Sequence, residues 1–408
     1  MKSNFATTIL ILALISTIFG CSPRNNNVAV FRGNLERTGV YDASSKMPLG
    51  EIKWKYNTVT DYLSSPIISQ GVVYVTGADG NLFALNASTG EKNWIFQGEK
   101  WGGSSPAVSE STVYFGSMDN SVYAIDIKTS REKWNFETGN YIFSSPAVFD
   151  GLVYFGNYDG YFYAVNAETG QEKWKFKTQG TGFLAPGREP ATDYGFKGAV
   201  HSSPAIVESS VYFGSYDHYL YALDAKTGQE KWKFKTDDVI IATPAISDNV
   251  LYFGSGDGDL YAINTNGQEK WEINTKDFLP IPSQAIRTML RWISSPTIAD
   301  GFVYFSVSYQ WWENSYEDGS NNLLNYLFAV NIATGQLKWR IQGASNIPTV
   351  SNNILYYGND EGYVIAIDAK SGQEIWKFKA DSGIVSDVVV VNGIAYFCSK
   401  DGYLYALQ

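Results

Sequence analysis

The chain has 408 residues, 44% of them hydrophobic and 15% aromatic, which is ample material for a large buried core. A formal net charge of −10 with only two histidines makes it a poor match for a nucleic-acid partner. The two cysteines, Cys21 and Cys398, stand in no CxxC or CxxCH spacing, so zinc ribbons and covalently attached c-type haem are excluded.

In chain order, the first segment carries a single charge, Lys2, and then an apolar run from Ala6 to Phe19. That run is short for a bilayer span and fits a secretory signal. Ile18-Phe19-Gly20-Cys21 resembles a bacterial lipobox: the glycine and the branched aliphatic residue match, and Phe19 replaces the usual small residue. Residues 1–20 are therefore expected to be a lipoprotein signal peptide, with Cys21 the lipidated new N-terminus and 21–30 a tether. A plain cleaved leader and an uncleaved anchor are the alternatives. Ser22, rather than Asp, resembles a signal for sorting to the outer membrane. The expected location is the bacterial envelope, on the periplasmic side. Cys398 would remain as a lone thiol, read as a buried strand residue because other units have glycine there (Gly116, Gly156, Gly214).

The segment FRGNLERTGVYD begins at Phe31, and a Pro- and Gly-containing lead brings the chain to EIKWKY, Glu51–Tyr56. From there a unit of about forty residues recurs, typified by Ser104–Glu137. One position of it holds Tyr74, Tyr114, Tyr154, Tyr212, Tyr252, Tyr304, Tyr356 and Tyr396. Another holds Trp54, Trp94, Trp134, Trp174, Trp232, Trp271, Trp339 and Trp376. Each unit has four short apolar runs, a pattern of propellers or solenoids. Asp-Gly-like pairs such as Asp79-Gly80 and Asp159-Gly160 mark a tight hairpin between the second and third runs. Ala-x-Thr-Gly, as in Ala167–Gly170 and Ala225–Gly228, marks a turn between the third and fourth. Proline in the first run lacks a donor and suits an inner edge strand. The last unit stops at Gln408 without its tryptophan run, while Glu51–Tyr56 is a tryptophan run with no unit before it. Pairing the two closes a ring. The predicted fold is all-β: one eight-bladed propeller over 31–408, with four-stranded antiparallel blades. The repeated tryptophans are read as packing between blades, and the repeated aspartates as turn formers rather than calcium ligands.

Function is then sought where units differ. The spacing from tryptophan to the next unit's proline is 12 in most units, 30 before Pro204 and 25 before Pro296. Tyr304 to Ala329 spans 25, against 10 elsewhere. These insertions, near 179–200, 276–293 and 307–325, are expected on one face of the disc. The first is Gly/Pro-rich, with Phe183, Leu184, Arg188 and Glu189 near its tip. The second is expected to be a short helix capped by Ser283, with Ile286, Met289 and Leu290 on one side and Arg287 and Arg291 on another. The third sets Trp311 and Trp312 beside Glu313, Glu317 and Asp318, a patch for a partner protein or a glycan, or packing onto the disc. At the channel mouth, His201 and Asp387 replace smaller residues. They sit four blades apart, so polar lining is the expectation, with an acid/base pair the alternative.

FRGNLERTG before AETGQEKW (Ala167–Trp174) and AKTGQEKW (Ala225–Trp232) resembles the pyrroloquinoline-quinone-like (PQQ-like) propeller repeat family over most of the chain. The Gly-His and Trp-Asp marks of WD repeats are absent. The resemblance implies two classes of function. One is a non-enzymatic, lipid-anchored scaffold, similar in architecture to the propeller lipoproteins of outer-membrane barrel assembly, that presents its insertion face to another envelope protein. Phe183, Arg188, Arg287, Arg291, Trp311 and Trp312 are then the candidate contacts, with no catalytic residue, metal or cofactor. The other is a quinoprotein dehydrogenase. Members of that class hold PQQ at the channel mouth between a disulfide of adjacent cysteines and a tryptophan, with calcium beside a catalytic aspartate. This chain has no adjacent cysteines, so the scaffold is the expectation and PQQ with calcium the runner-up.

Overall fold

The computed structural model describes residues 28–41, 46–98, 100, 102–180, 198–279, 287–312 and 322–408. For 287–291, 310–312 and 322–323 the backbone alone is described. The signal-peptide and Cys21 expectations lie outside these residues, as do Phe183, Leu184, Arg188 and Glu189. Among the described residues, no helix is long and apolar enough to cross a membrane.

Each repeat folds into one antiparallel sheet, and the sheets form an eight-bladed propeller. In the second blade the strands are Ala107–Ser109, Thr112–Gly116, Ser121–Asp126 and Glu132–Glu137. The inner strand is short because proline precedes it, and the two middle strands are buried on both faces. The outer strand alternates, with charged residues outward and Trp134 and Phe136 inward. Packing between blades is sheet on sheet; between the third and fourth, Phe162 and Phe213 stack with centroids 4.0 Å apart. The ring closes as expected: Ile52–Asn57 pairs with Tyr403–Leu407, and Gln408 N–H donates to Glu51 O at 2.8 Å.

One bonding pattern fastens six of the eight blades to the next. Tyr154 Oη and Trp174 Nε1 both donate to the carbonyl of Ala225 in the following blade, at 3.0 and 3.1 Å. Tyr114 and Trp134 do the same to Ala167, at 3.0 and 3.1 Å. At the closure, Tyr396 and Trp54 share Ala87 O, each at 3.0 Å, although they come from opposite ends of the sequence. The glycine of the Thr-Gly turn makes room for the indole: at Gly228 (φ +72°) a Cβ would fall 2.6 Å from the Trp174 ring. Trp94 and Trp376 depart from the pattern, and the buried Nε1 of Trp376 has no hydrogen-bond partner. In the eighth blade the matching turn is replaced by two separate segments, held by Leu49 N–H to Gln408 O at 2.9 Å.

The turns sort onto two faces. Ala87 N–H bonds Gly71 O and Ala167 N–H bonds Gly151 O, both at 2.9 Å, joining the first and third turns of a blade on one face. Gly102 N–H bonds Gly77 O at 3.0 Å and Tyr158 N–H bonds Tyr141 O at 3.1 Å, joining the middle hairpins to the joints between blades on the other. The insertions all leave from this second face.

The second insertion departs from expectation. After a single 3₁₀ turn at Thr275–Phe278, residues Arg287–Ile293 form a strand and not a helix; Ser283 and Ile286 lie outside the described residues. The reason is long-range. The third insertion prolongs the middle hairpin of the sixth blade into strands Phe302–Trp312 and Asn322–Asn331, beyond the reach of the short inner strand Thr297–Ala299. The overhanging edge needs partners for its backbone groups, and Arg287–Ile293 supplies them. The register pairs Arg287 with Trp312, Thr288 with Trp311, and Trp311 with Asn322. Two insertions thus make one three-stranded extension standing on the disc.

Trp174→Phe removes a bonded N–H and Trp376→Phe an unbonded one. The first should cost about 1 kcal/mol more than the second in urea unfolding. Gly228→Ala should cost about 2–4 kcal/mol, from a left-handed φ and contact with the indole.

Candidate functional site

The second residue of each Ser-Ser-Pro run faces the channel. Over four successive joints the hydroxyl takes a backbone N–H from the blade before: Ser105 N to Ser145 Oγ at 3.1 Å, Ser145 N to Ser203 Oγ at 2.9 Å, Ser203 N to Thr243 Oγ1 at 3.1 Å and Thr243 N to Ser295 Oγ at 2.9 Å. Asp387 N to Ser65 Oγ, at 3.0 Å, continues this girdle. Ile347, which has no hydroxyl, interrupts it.

Inside the girdle, the channel is filled by the stretch from Val28 to Tyr41. It pairs with the inner strand of the second blade, Val28 opposite Ser109 and Ala29 opposite Val108, and turns at Arg32 (φ 64°) and Gly33 (φ 87°). It then runs round the inner edges, where Leu35 O, Glu36 O and Thr38 O each accept, at 2.8 Å, from Ile206, Ile246 and Ile298 N–H. Gly39 O accepts from Val350 N–H at 3.0 Å. Edge strands that would otherwise leave donors open are satisfied in this way.

Two arginines, both 0% exposed, anchor the plug. Arg37 Nε donates to Pro204 O at 2.8 Å and Nη2 to Pro146 O at 3.2 Å, while Nη1 bonds Phe31 O. Arg32 Nε donates to Arg37 O at 3.1 Å and Nη2 to Thr297 Oγ1 at 2.8 Å, with Pro296 O a further acceptor. Guanidinium donors here take the place of backbone donors opposite the proline-bearing strand ends. Burial, with the neighbouring Arg32 charge, pushes Arg37 down to about 9, so it stays charged at neutral pH. Burial also lowers Arg32, against the attraction of Asp387 and Tyr41. These residues were missed by the motif reading. The available signal was two arginines in a glycine-containing stretch with no repeat partner.

Above the plug, at the insertion-face mouth, lies a cavity of about 500 Å³. Phe31, Phe143, His201, Trp292, Asn346 and Asp387 line it together with girdle hydroxyls. His201 and Asp387 thus share one cavity, from opposite blades. His201 stacks on Phe143 with centroids 5.5 Å apart, and burial pushes its pKa down to about 4, so it is neutral at pH 7. Burial pushes Asp387 up to about 6, opposed by the Arg32 charge and a hydrogen bond with Ser65; its Oδ2 and Tyr41 Oη have no hydrogen-bond partner. Cys398 is buried in the eighth blade, as expected from its repeat position.

On the described wall, a quinone cofactor with its calcium would meet one carboxylate, the Asn346 amide and the girdle hydroxyls. Trp292 is present, but Asp387 is the one carboxylate, and calcium takes six to eight oxygens. The nearby guanidinium of Arg32 has its donors committed to the plug and inner strands. Among the described residues, no group of three or more His, Cys, Asp or Glu could hold a metal ion. The candidate contacts Arg287, Trp311 and Trp312 meet in backbone register on the extension, and Arg291 lies on the same strand.

Ring, girdle and inter-blade fastening define an eight-bladed propeller of the PQQ-like repeat class. More narrowly, the chain belongs to the family of the outer membrane protein assembly factor BamB, whose model matches residues 40–100, 98–195, 185–311 and 324–408. It is 27% identical over 215 residues to BamB of Yersinia pestis, covering 49% of this chain and 48% of that one. Across the curated relatives it matches, this chain spans from 10% to about half of their length. In structure it resembles BamB of Moraxella catarrhalis, with a TM-score of 0.66 and 16% identity, covering 88% of this chain and 99% of that one. It equally resembles quinohemoprotein alcohol dehydrogenase of Comamonas testosteroni, with a TM-score of 0.74 and 16% identity, covering 92% and 79%. At such identities the structural likeness concerns the fold alone.

The raised pKa of Asp387 carries a pH signature. From a reference of 3.8 to about 6 is roughly two units, or about 3 kcal/mol. The unfolded chain releases this proton first, so the contribution is complete below pH 4 and lost as pH rises to about 6. Asp387→Asn should flatten that part of the stability profile and be more stable than the parent at pH 7.5, as read by urea unfolding. Arg37→Met leaves buried carbonyls unpaired at the axis and should cost at least about 3 kcal/mol in the same measurement.

Proposed function

We propose that this protein is a non-enzymatic scaffold of the bacterial envelope, anchored by lipid at Cys21, whose insertion face holds a partner protein during outer-membrane protein assembly. The observation that carries this reading is the distribution of irregularity. Seven blades keep trim middle hairpins, while the sixth raises a three-stranded extension from Arg287–Ile293, Phe302–Trp312 and Asn322–Asn331. Arg287 and Trp312 stand opposite each other there, residue types that concentrate binding energy at interfaces. Below the mouth cavity, the axis is filled by the protein's own chain from Val28 to Tyr41. Family membership and the similarity to BamB of Yersinia pestis support the same role.

Photo-crosslinking from Thr288 in native envelopes should capture one predominant envelope protein, and deleting 311–323 should abolish the capture while the disc stays folded. Capture that survives the deletion would count against the reading. Cys21→Ser should release the protein from the membrane fraction. The similarity to quinoprotein dehydrogenases keeps a second reading open to test: dye-linked alcohol oxidation after adding quinone and calcium is expected to be absent, and activity would replace the scaffold reading.

A further inference from the structure

The path of the plug fixes which face of the disc can meet the anchoring bilayer. Inner strands run from the insertion face, where the girdle lies, to the trim face, where the first turns lie. Val28 pairs with Ser109 at the trim end of such a strand, and Phe31, three residues on, already lines the cavity at the opposite mouth. Val28 also borders a groove with Glu110, Asp150 and Glu168, all on turns of the trim face. Val28, the first described residue, therefore sits at the trim face, close to the axis.

We infer that the disc cannot turn its insertion face to the membrane that anchors it: the trim face, or at most the rim, is apposed to the lipid. The inference rests on the anchor at Cys21 and adds geometry to it. Cys21 precedes Val28 by seven residues, and seven extended residues reach at most about 25 Å. A blade of four strands extends about 20 Å outward from the channel, and strands of five or six residues make a disc about 20 Å thick. Bringing the insertion face to the bilayer would route the tether across the trim face and down the rim, about 40 Å. Lying flat or on edge needs no more than about 20 Å.

Adhesion does not supply this orientation. Glu110, Asp150, Glu208, Asp248 and Asp300 occupy the equivalent exposed turn position around the trim face, each with a positive φ between 47° and 54°. Exposed Lys128, Lys226 and Lys370 stand on the third turns of the same face, so its charge is mixed and gives anionic lipid no strong attraction. The short tether imposes the geometry, and the partner that docks on the extension cannot lie between the insertion face and the anchoring leaflet.

The test separates geometry from biological lipidation. The chain from Cys21 onward is coupled through the Cys21 thiol to a maleimide phospholipid in phosphatidylethanolamine/phosphatidylcholine vesicles; Cys398 is buried. A fluorophore is placed by p-azidophenylalanine at exposed Lys128 on the trim face or exposed Glu361 on the insertion face. Energy transfer to acceptor lipids should be more efficient from position 128 than from 361, and equal or reversed efficiencies would overturn the inference. Inserting twenty Gly/Ser residues between Ser22 and Val28 should erase the difference; a difference that persists would show that something other than tether length sets it. Release of Cys21→Ser from cell membranes reports on the anchor separately.

Discussion

The fold depends on a carbonyl oxygen shared by two aromatic donors. In blade after blade a tyrosine from the second strand and a tryptophan from the outer strand converge on one main-chain oxygen of the next blade's third turn, as Tyr154 and Trp174 do on Ala225. Apolar burial between sheets is indifferent to register, whereas a carbonyl reached from two directions is not. The requirement links three features of the repeat. Tyrosine must have its hydroxyl, tryptophan its ring nitrogen, and the turn a glycine whose missing side chain leaves space for the indole. Rotation and spacing between blades follow from repeating that contact.

The axis is built on a second use of carbonyl oxygens. Proline on the inner strands removes donors at the channel, and two arginines from the plug bring donors back. Burying two cations is tolerable because nearly every N–H meets an oxygen. A hole with walls so engaged is a structural centre, and diversity is displaced outward to the joints and the sixth blade. The family of the outer membrane protein assembly factor BamB, to which this chain belongs, shares its architecture with alcohol dehydrogenases. Contents of the axis and the rim therefore carry more meaning than the ring itself.

Much of the ring was legible from residues alone because its determinants are local and repeated. The tyrosine and tryptophan columns gave the blade count, and the unmatched run at Trp54 gave the closure. The shared crowding of insertions on one face followed from strand direction. What escaped was non-local. Arg287–Ile293 has the spacing of a helical turn, yet an overhanging hairpin edge two dozen residues later recruits it as a strand. Arg32 and Arg37 belong to no repeat, and their acceptors lie on blades more than a hundred residues away. The placement of His201 and Asp387 in one cavity was visible from their repeat positions, whereas the stacking of His201 on Phe143, which binds it into the wall, needed the fold.

Plug and closing strand are neighbours in sequence: residues 28–41 fill the channel and 52–57 complete the last blade. They are the first part of the described chain to leave the ribosome, and their partners at 403–407 are the last. For nearly the whole of synthesis this apolar, arginine-bearing arm has nowhere to go, while the half-built arc of blades keeps an exposed inner rim. Circularity and a filled core must then arrive together, in one late, long-range step of high contact order. Folding that waits for the closing strand's partner suits a molecule whose opening words are answered only by its last.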